Sequence, residues 1–380
     1  MYRAIVLYSI STLLILSNKY GMAQDQKQRL RDYGIEIGVM MPGTLNAITD
    51  VEGVKVGHVT LMTADNIRTG VTAILPHSEN HYQNKVPAAI YIGNGYGKLA
   101  GYSQVKELGN IETPIILTNT LSVPSASEAL ITYTLDQEGN ENVRSVNSVV
   151  GETNDGYLND IRGRHVQSTH VLDAIKNATT GPVKEGNVGA GTGTICFGWK
   201  GGIGTASRVL PKSLGGYTVG VLVQTNFGGV LQINGVPIGK ELEQYYYKDE
   251  ILKQADGSCM IIVLTDAPLE YRNLERLAKR AFLGLARTGG IASNGSGDYI
   301  IAASTSDKVR ITTDDTKTKK IEVLKNSSMS PLFLATIEAT EEAIINSLFL
   351  AETMTGRDNH VVEEIPILKV LEIMKKHGRL

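Results

Sequence analysis

The sequence places a serine at the expected start of a strand, directly after a flexible glycine. Ser258 follows Asp256-Gly257 and precedes the apolar run 259–264. A serine hydroxyl in this position can attack the carbonyl before it, and the resulting backbone cut releases an α-amine beside that hydroxyl. Because the pKa of an α-amine is about 7.7–8.0, it can accept a proton at neutral pH. An ordinary turn followed by a strand also fits Asp-Gly-Ser, so the interpretation depends on the rest of the chain.

Three other polar clusters lie beside apolar runs and could take part in the same chemistry. Ser296 is flanked by glycines, and Asp298 two residues later could orient a hydroxyl network. Glu152 follows an apolar pair, and a carboxylate at such a strand end is suited to bind an ammonium group. Asn226 lies at the end of another apolar run, where its amide could donate to an oxyanion. Each cluster alone is also typical of a solvated loop.

Neither of two glycine-rich runs has the spacing of a nucleotide site. Residues 187–194 read G-x-G-x-G, and no acidic residue lies about twenty positions further on. Residues 235–241 are one residue short of a P-loop and lack its Ser or Thr. The 7 histidines form no HExxH pattern and have no neighbouring ligands at metal spacing. We therefore expect no metal and no other cofactor.

The first 23 residues have the pattern of a secretory leader. Arg3 supplies a positive charge, residues 4–16 form an apolar run, and Gly21-Met22-Ala23 offers a cleavage site before Gln24. The apolar run is shorter than the ~20 residues that cross a bilayer. The sequence thus predicts a secreted or periplasmic protein with no membrane association after leader removal. A net charge of -2 without a basic block argues against nucleic acid as a partner.

Short β-branched runs alternate with helical patterns, which predicts an α/β fold. The predicted strands are 54–59, 88–92, 114–117, 217–224, 260–264 and 299–304. Helical spacing predicts one helix over 274–285 with Gly289 as its C-cap, and a second over 339–355. Pro124 is suited to a helix start.

The segment before Ser258 could accompany a backbone cut. The polar segment 240–257 fits either a surface helix or an exposed tether that must move after cleavage.

Side chains alternate along a strand, so Cys259 is expected to face away from the site. In an oxidising compartment Cys196 and Cys259 could pair, but the sequence gives no geometry for a disulfide, and we expect two buried free thiols.

Taken together, these clusters resemble the DmpA/BapA family of L-aminopeptidase D-Ala-esterase/amidases and β-peptidyl aminopeptidases. The stretches that carry the resemblance follow one another in the family order and are residues 48–58, 68–72, 149–156, 201–208, 257–258 and 286–289. The resemblance implies a four-layer αββα sandwich, similar in layering to N-terminal nucleophile hydrolases but with different connectivity. It also implies self-cleavage into polypeptides 24–257 and 258–380, which remain one folded unit and assemble into homo-oligomers.

The resemblance also assigns roles to individual residues. They are Gly257 and Ser258 at the cleavage site, Ser258 as nucleophile, Ser296 and Asp298 in support, Asn226 as oxyanion donor, Glu152 as the site for the substrate amine, and Tyr157 as a site-lining residue. Family members can carry Glu where Asp298 stands, so this carboxylate is one methylene shorter. The expected substrates are small peptides, amides or esters with a free amine, with the preference among L-α, D-α and β-amino acids left open.

Two other functions remain compatible with parts of the sequence. An ornithine acetyltransferase-like enzyme would share the layering and the self-cleavage, but that family uses a threonine nucleophile and is cytoplasmic. An exported binding protein would use the glycine-rich loops for a ligand and would leave Ser258 as an ordinary strand residue.

Overall fold

The computed structural model describes residues 27–246, 248, 257–313 and 317–380. The predicted leader and residues 247 and 249–256 of the predicted tether lie outside the described residues. Within the described chain the strands are β1 Lys55–Thr63, β2 Ile67–Leu75, β3 Asn84–Gly95, β4 Leu99–Ala100, β5 Asn110–Ile111, β6 Ile115–Asn119, β7 Val149–Thr153, β8 Ile195–Cys196, β9 Trp199–Lys200, β10 Ile203–Val209, β11 Thr218–Asn226, β12 Ser258–Thr265, β13 Gly297–Ser304, β14 Ile311–Thr312, β15 Met354–Thr355 and β16 Val361–Val362.

The helices within the same residues are α1 Tyr102–Leu108, α2 Val123–Leu135, α3 Ser168–Lys176, α4 Ile238–Glu241, α5 Tyr271–Arg287, α6 Ser330–Phe349 and α7 Ile367–Lys376. Short 3-10 turns lie at Leu30–Tyr33, Ile48–Asp50, Thr120–Ser122, Ile161–Gly163, Gly189–Gly191, Lys212–Leu214, Asp307–Val309, Asn326–Ser328 and Arg357–Asn359. None of the described helices combines the length and the apolar character that a membrane crossing needs.

The strands form two main sheets that face each other. The first has the order β1-β2-β6-β7-β4, and the second has the order β10-β11-β12-β13-β3-β14, with β5 also paired to β3. Helices α2 and α3 cover the first sheet, and α5 and α6 cover the second. The predicted α/β class and the αββα layering are therefore confirmed. The predicted strands appear as β1, β3, β6, β11, β12 and β13, with longer bounds than expected.

Side chains of β12 alternate between two apolar cores. Cys259 and Ile261 face the core under α5 and α6, whereas Met260 and Ile262 face the core between the sheets. By this alternation, Ser258 points into the space between the sheets. Cys259 faces away from it, as expected, and both cysteines are buried and free.

The two predicted helices are present, but only the first has bounds close to those expected. Helix α5 includes the predicted stretch, and Gly289 follows its C-cap in the left-handed region at φ 90. The prediction of 339–355 for α6 was wrong at both ends. Pro331 lies in the first turn, and the helix is buried on most of its surface, charged residues included. Glu338 and Glu342 pair with Arg208 inside the protein, so polar residues do not mark an exposed face.

Candidate active site

Three neighbouring strands of the second sheet bring the predicted catalytic residues together. In the register of the sheet, Ser258 at the start of β12 pairs with Asn226 at the end of antiparallel β11. On its other side it pairs with Gly297 at the start of parallel β13. Ser296 and Asp298 flank Gly297. The strand order therefore gathers residues that lie far apart in the sequence.

The bond between Gly257 and Ser258 lies within reach of the serine hydroxyl. Ser258 Oγ donates to the Gly257 carbonyl oxygen at 2.7 Å. The Gly297 N–H donates to the same carbonyl at 3.1 Å and also approaches Ser258 Oγ at 3.3 Å. A Cβ at Gly297 would lie 2.5 Å from the Tyr96 carbonyl oxygen, so only glycine fits here. The arrangement places a backbone donor on the oxygen that would become negative during attack.

The two residues predicted to support the nucleophile form a buried pair. Ser296 Oγ donates to Asp298 Oδ1 at 2.9 Å. Asp298 Oδ2 has no hydrogen-bond partner among the described residues. Burial raises the pKa of Asp298 to about 6, although the hydrogen bond from Ser296 opposes that shift. A carboxylate with an open acceptor thus lies next to the strand that begins at Ser258.

A backbone hydrogen bond fixes the orientation of Asn226. The N–H of Ile195 donates to Asn226 Oδ1 at 3.0 Å. The side-chain oxygen is thereby used, and the Nδ2 group makes no hydrogen bond to the described residues. Asn226 is buried beside Ser258. Its amide nitrogen is therefore available to donate to an oxyanion.

Glu152 lies across the space between the sheets, at the end of β7. Its Oε1 accepts from the N–H of Lys98 at 2.9 Å, and its Oε2 accepts from the hydroxyl of Thr120. Only 3% of Glu152 is exposed. Burial raises the pKa of this carboxyl, while the two hydrogen bonds and the charge of Lys98 counteract that shift. A cation from the substrate would offset the cost of burying the carboxylate.

The loop between β3 and β4 connects Glu152 to the nucleophile. The Tyr96 N–H donates to the Ser296 carbonyl at 3.1 Å. A Cβ at Gly97 would lie 2.9 Å from Glu152 Oε1 and 3.6 Å from Gly297 Cα. The sequence analysis missed this loop. The repeated glycines of 93–97, directly after a predicted strand, were the available signal.

Tyr157 makes its contacts at a different place from the other predicted residues. It is 47% exposed, and its ring stacks on His360 at a centroid distance of 4.2 Å. His360 Nδ1 is 2.8 Å from the Tyr157 carbonyl oxygen. None of its hydrogen bonds or ring contacts in the described chain joins it to Glu152 or Ser258.

Two surface clefts lie away from this site. One cleft of about 420 Å³ lies beside Tyr271 and Arg310, and another of about 560 Å³ lies beside Arg68 and Glu352. Neither is lined by Ser258 or Glu152. The described residues also contain no group of three or more His, Cys, Asp or Glu side chains placed to hold a metal ion.

Comparison with known proteins agrees with the geometry. The model of peptidase family S58 matches residues 46–362. The β-peptidyl aminopeptidase BapA of Sphingosinicella microcystinivorans is 39% identical over an alignment of 381 positions, and the alignment covers 95% of each chain. The PH0078 protein of Pyrococcus horikoshii OT3 shares 51% identity at a TM-score of 0.86, with 92% of this chain and 100% of that chain covered.

A third similar structure describes the type of fold. The L-aminopeptidase D-Ala-esterase/amidase of Ochrobactrum anthropi, a prototype for the serine aminopeptidases and a variant of the Ntn hydrolase fold, shares 35% identity at a TM-score of 0.85. The alignment covers 93% of this chain and 99% of that chain. The predicted relationship to the DmpA/BapA family is confirmed. The chain belongs to peptidase family S58 and is a serine aminopeptidase of the N-terminal nucleophile type.

Proposed function

We propose that this aminopeptidase cuts its own chain between Gly257 and Ser258 and then uses the released serine on small substrates with a free amine. The observation that carries the proposal is the contact of Ser258 Oγ with the Gly257 carbonyl, which the Gly297 N–H also approaches. The products would be polypeptides 24–257 and 258–380, which stay in one folded unit because β11 and β12 pair along their length.

In the first step, Ser258 Oγ attacks the Gly257 carbonyl carbon. The negative charge that develops on the carbonyl oxygen is stabilised by the Gly297 N–H. The C–N bond breaks, the hydroxyl proton goes to the leaving nitrogen, and the acyl group is left as an ester on Oγ. Water then hydrolyses this ester and gives a Gly257 carboxylate and a Ser258 that carries a free α-amine.

In the second step, the freed Ser258 attacks the first carbonyl of a substrate. The α-amine takes the hydroxyl proton, and the oxyanion forms against Asn226 Nδ2. The substrate's leaving group departs with a proton, and water hydrolyses the acyl-enzyme. We assign the stabilisation of the protonated α-amine to the pair Ser296–Asp298. The two residues flank Gly297, the ladder partner of Ser258, and Asp298 Oδ2 is unpaired in the described chain.

Glu152 would select the substrate. Its carboxylate is held at both oxygens, close to the loop that borders Gly297, so a substrate ammonium bound there faces the nucleophile across the space between the sheets. Because the curated relative is a β-peptidyl aminopeptidase, we include N-terminal β-amino acids among the substrates, beside L-α and D-α residues. An N-acetyl group would remove the charge that Glu152 binds.

We extend the proposal to the location and assembly of the enzyme. The pattern of residues 1–23 supports removal of a leader and export, with a mature start near Gln24. The family relationship supports homo-oligomers of the cleaved pair. Mass spectrometry of the amino terminus and size-exclusion chromatography with light scattering test these two points separately. An exported fraction that keeps residue 1, or a single α–β pair in solution, would contradict them.

One experiment tests the core of the proposal. Wild type and Ser258→Ala are purified, analysed by intact mass, and assayed on p-nitroanilides and amides of L-α, D-α and β-amino acids, each with a free or acetylated amine. We expect the variant to be uncut and inactive, and the wild type to prefer free amines. Ser258→Thr is the matched control, since it keeps a hydroxyl. A cut and active Ser258→Ala variant would refute the proposal.

A further inference from the structure

One lysine of this protein is completely buried, although it lies outside the residues discussed above. Lys200 in β9 has no exposed surface. Its Nζ donates to the carbonyl oxygen of Gly201 at 2.7 Å and to that of Gly191 at 3.1 Å. Burial lowers the pKa of Lys200 to about 7, against the opposing influence of Cys196 and Asp155. An ammonium group held only by main-chain carbonyls has lost most of its solvation, which is costly.

The two carbonyls bound by Lys200 lie on either side of a small hairpin. Strands β8 and β9 pair with Ile195 opposite Lys200. Gly191 precedes this hairpin and Gly201 follows it, and the Gly201 N–H donates to the Thr194 carbonyl at 3.1 Å. The single ammonium therefore closes the base of the hairpin.

The same hairpin carries the group that orients Asn226. The Ile195 N–H is the donor to Asn226 Oδ1 at 3.0 Å. The Phe197 N–H also donates to the carbonyl of Phe227, the residue after β11, at 2.7 Å. The hairpin is therefore hydrogen-bonded to the end of β11. A shift of the hairpin would move the Ile195 N–H and release the Asn226 side chain. Lys200 is thus the direct ladder partner of the residue whose N–H holds Asn226.

We propose that Lys200 is a positioning residue for the oxyanion donor: it fixes the hairpin 195–200 so that Ile195 holds Asn226 in its donating orientation. The inference rests on the role proposed above for Asn226. A methionine would fill much of the lysine's volume without a buried charge, whereas burying an ammonium costs free energy that hydrogen bonds to two carbonyl oxygens offset only in part. A lysine here therefore gives little stability in return for its cost, which argues for a role in catalysis.

A double-mutant cycle tests this inference. Lys200→Met, Asn226→Ala and the double variant are assayed as full-length protein, with kcat normalised to cleaved chains measured by intact mass. We expect Lys200→Met to lower kcat about 10- to 100-fold, since a small misplacement of a catalytic group has such effects, with KM changed less than threefold. In the Asn226→Ala background, Lys200→Met should have no further effect on kcat.

Lys85→Met is the matched control. Lys85 is a half-buried lysine whose Nζ donates to the Tyr82 carbonyl at 2.7 Å. It lies at the start of β3 and pairs with Ile311, whereas Gly297 pairs with Gly95 at the other end of this strand. This control should keep wild-type kcat and KM. If Lys200→Met does not fold, Lys200→Gln takes its place in the cycle. If a variant folds but is cut only slowly, its rate of self-cleavage replaces kcat.

The outcomes separate this inference from the proposed function. Wild-type kcat in Lys200→Met, or the same loss in both backgrounds, would overturn the positioning role while leaving Asn226 as the donor. Wild-type kcat in Asn226→Ala would refute the donor itself, and the role of Lys200 with it. A loss that is present only when Asn226 is intact would support both.

Discussion

The two sides of this active site are built in different ways. On the nucleophile side, Ser258, Asn226 and Gly297 are ladder partners in three adjacent strands, so backbone pairing fixes their positions. On the opposite side, Glu152 is held by hydrogen bonds from Lys98 and Thr120, which lie outside the strand that carries it. In the proposed mechanism, the chemistry depends on the register of one sheet, and recognition of the substrate amine depends on contacts of loops with the other. Changes on the two sides should therefore affect different kinetic constants.

Among the variants that keep the nucleophile, the largest effect is expected on the nucleophile side, at Asn226. Asn226→Ala should lower kcat by about 10²–10³, or roughly 2.7–4 kcal/mol, because one oxyanion donor is lost. KM should change little, since the donor acts in the transition state. Self-cleavage should slow as well if the same amide serves both steps. Steady-state kinetics and thermal melts check this prediction, and a folded, fully active variant would remove Asn226 from the mechanism.

A pH-dependent effect on stability is expected at Asp298 on the same side. Its pKa is raised to about 6 in the folded chain, so the folded state holds a proton more tightly than the unfolded state does. The stability that this group contributes is present at low pH. It is lost as pH rises from about 3.9, the pKa in the unfolded chain, through about 6, the pKa in the folded chain. In the uncut Ser258→Ala background, Asp298→Asn should therefore stabilise by up to about 3 kcal/mol at pH 8 and by little at pH 3.

Denaturant unfolding at both pH values measures that difference. Ser296→Ala in the same background is the control, because it removes the hydroxyl partner but keeps the carboxyl. An equal gain from Asp298→Asn at pH 3 and pH 8 would show that the buried charge is not the cause.

On the recognition side, Glu152→Gln should preserve self-cleavage but weaken the use of free-amine substrates. The expected loss in kcat/KM is about 1.5–3 kcal/mol, the value of a hydrogen bond to a charged group. N-acetylated substrates should be poor for the wild type and nearly unaffected by the change. Equal wild-type activity on acetylated and free-amine substrates would refute the role of Glu152.

The smallest effect is expected where only one contact of Glu152 is removed. Thr120→Val deletes the hydroxyl that donates to Glu152 Oε2 and leaves the Lys98 N–H in place. KM for free-amine substrates should rise about fivefold, which corresponds to a loss of about 1 kcal/mol in binding free energy, and kcat should change less. Thr120→Ser keeps the hydroxyl and should behave as wild type. A fall in kcat with unchanged KM would contradict the division between the two sides.

The same division explains what the sequence could and could not predict. Ser258, Asn226 and Glu152 were found because each lies at an end of an apolar run that reads as a strand. The parallel pairing of β12 with β13 leaves no local signal, so the approach of Gly297 to the Gly257 carbonyl was not foreseen. The loop at Gly97 and the hydroxyl of Thr120 were missed because their roles arise only from contacts across the sandwich.

Helix α6 shows a second limit of sequence analysis. A helix that is buried on most sides has no alternation of polar and apolar faces to mark its ends. Even its glutamates do not mark a solvent face, since Glu338 and Glu342 pair with Arg208 in the interior. Only the position of Pro331 in the first turn indicated where the helix begins.

The central claim is that Ser258 becomes a free amino-terminal nucleophile, and intact mass spectrometry of the purified wild-type protein tests it most directly. The account predicts two masses, one for a chain that ends at Gly257 and one for residues 258–380, with a reactive acyl or sulfonyl fluoride probe attached to the second chain at Ser258. A single active chain with an intact Gly257–Ser258 bond, or a probe attached elsewhere, would contradict it.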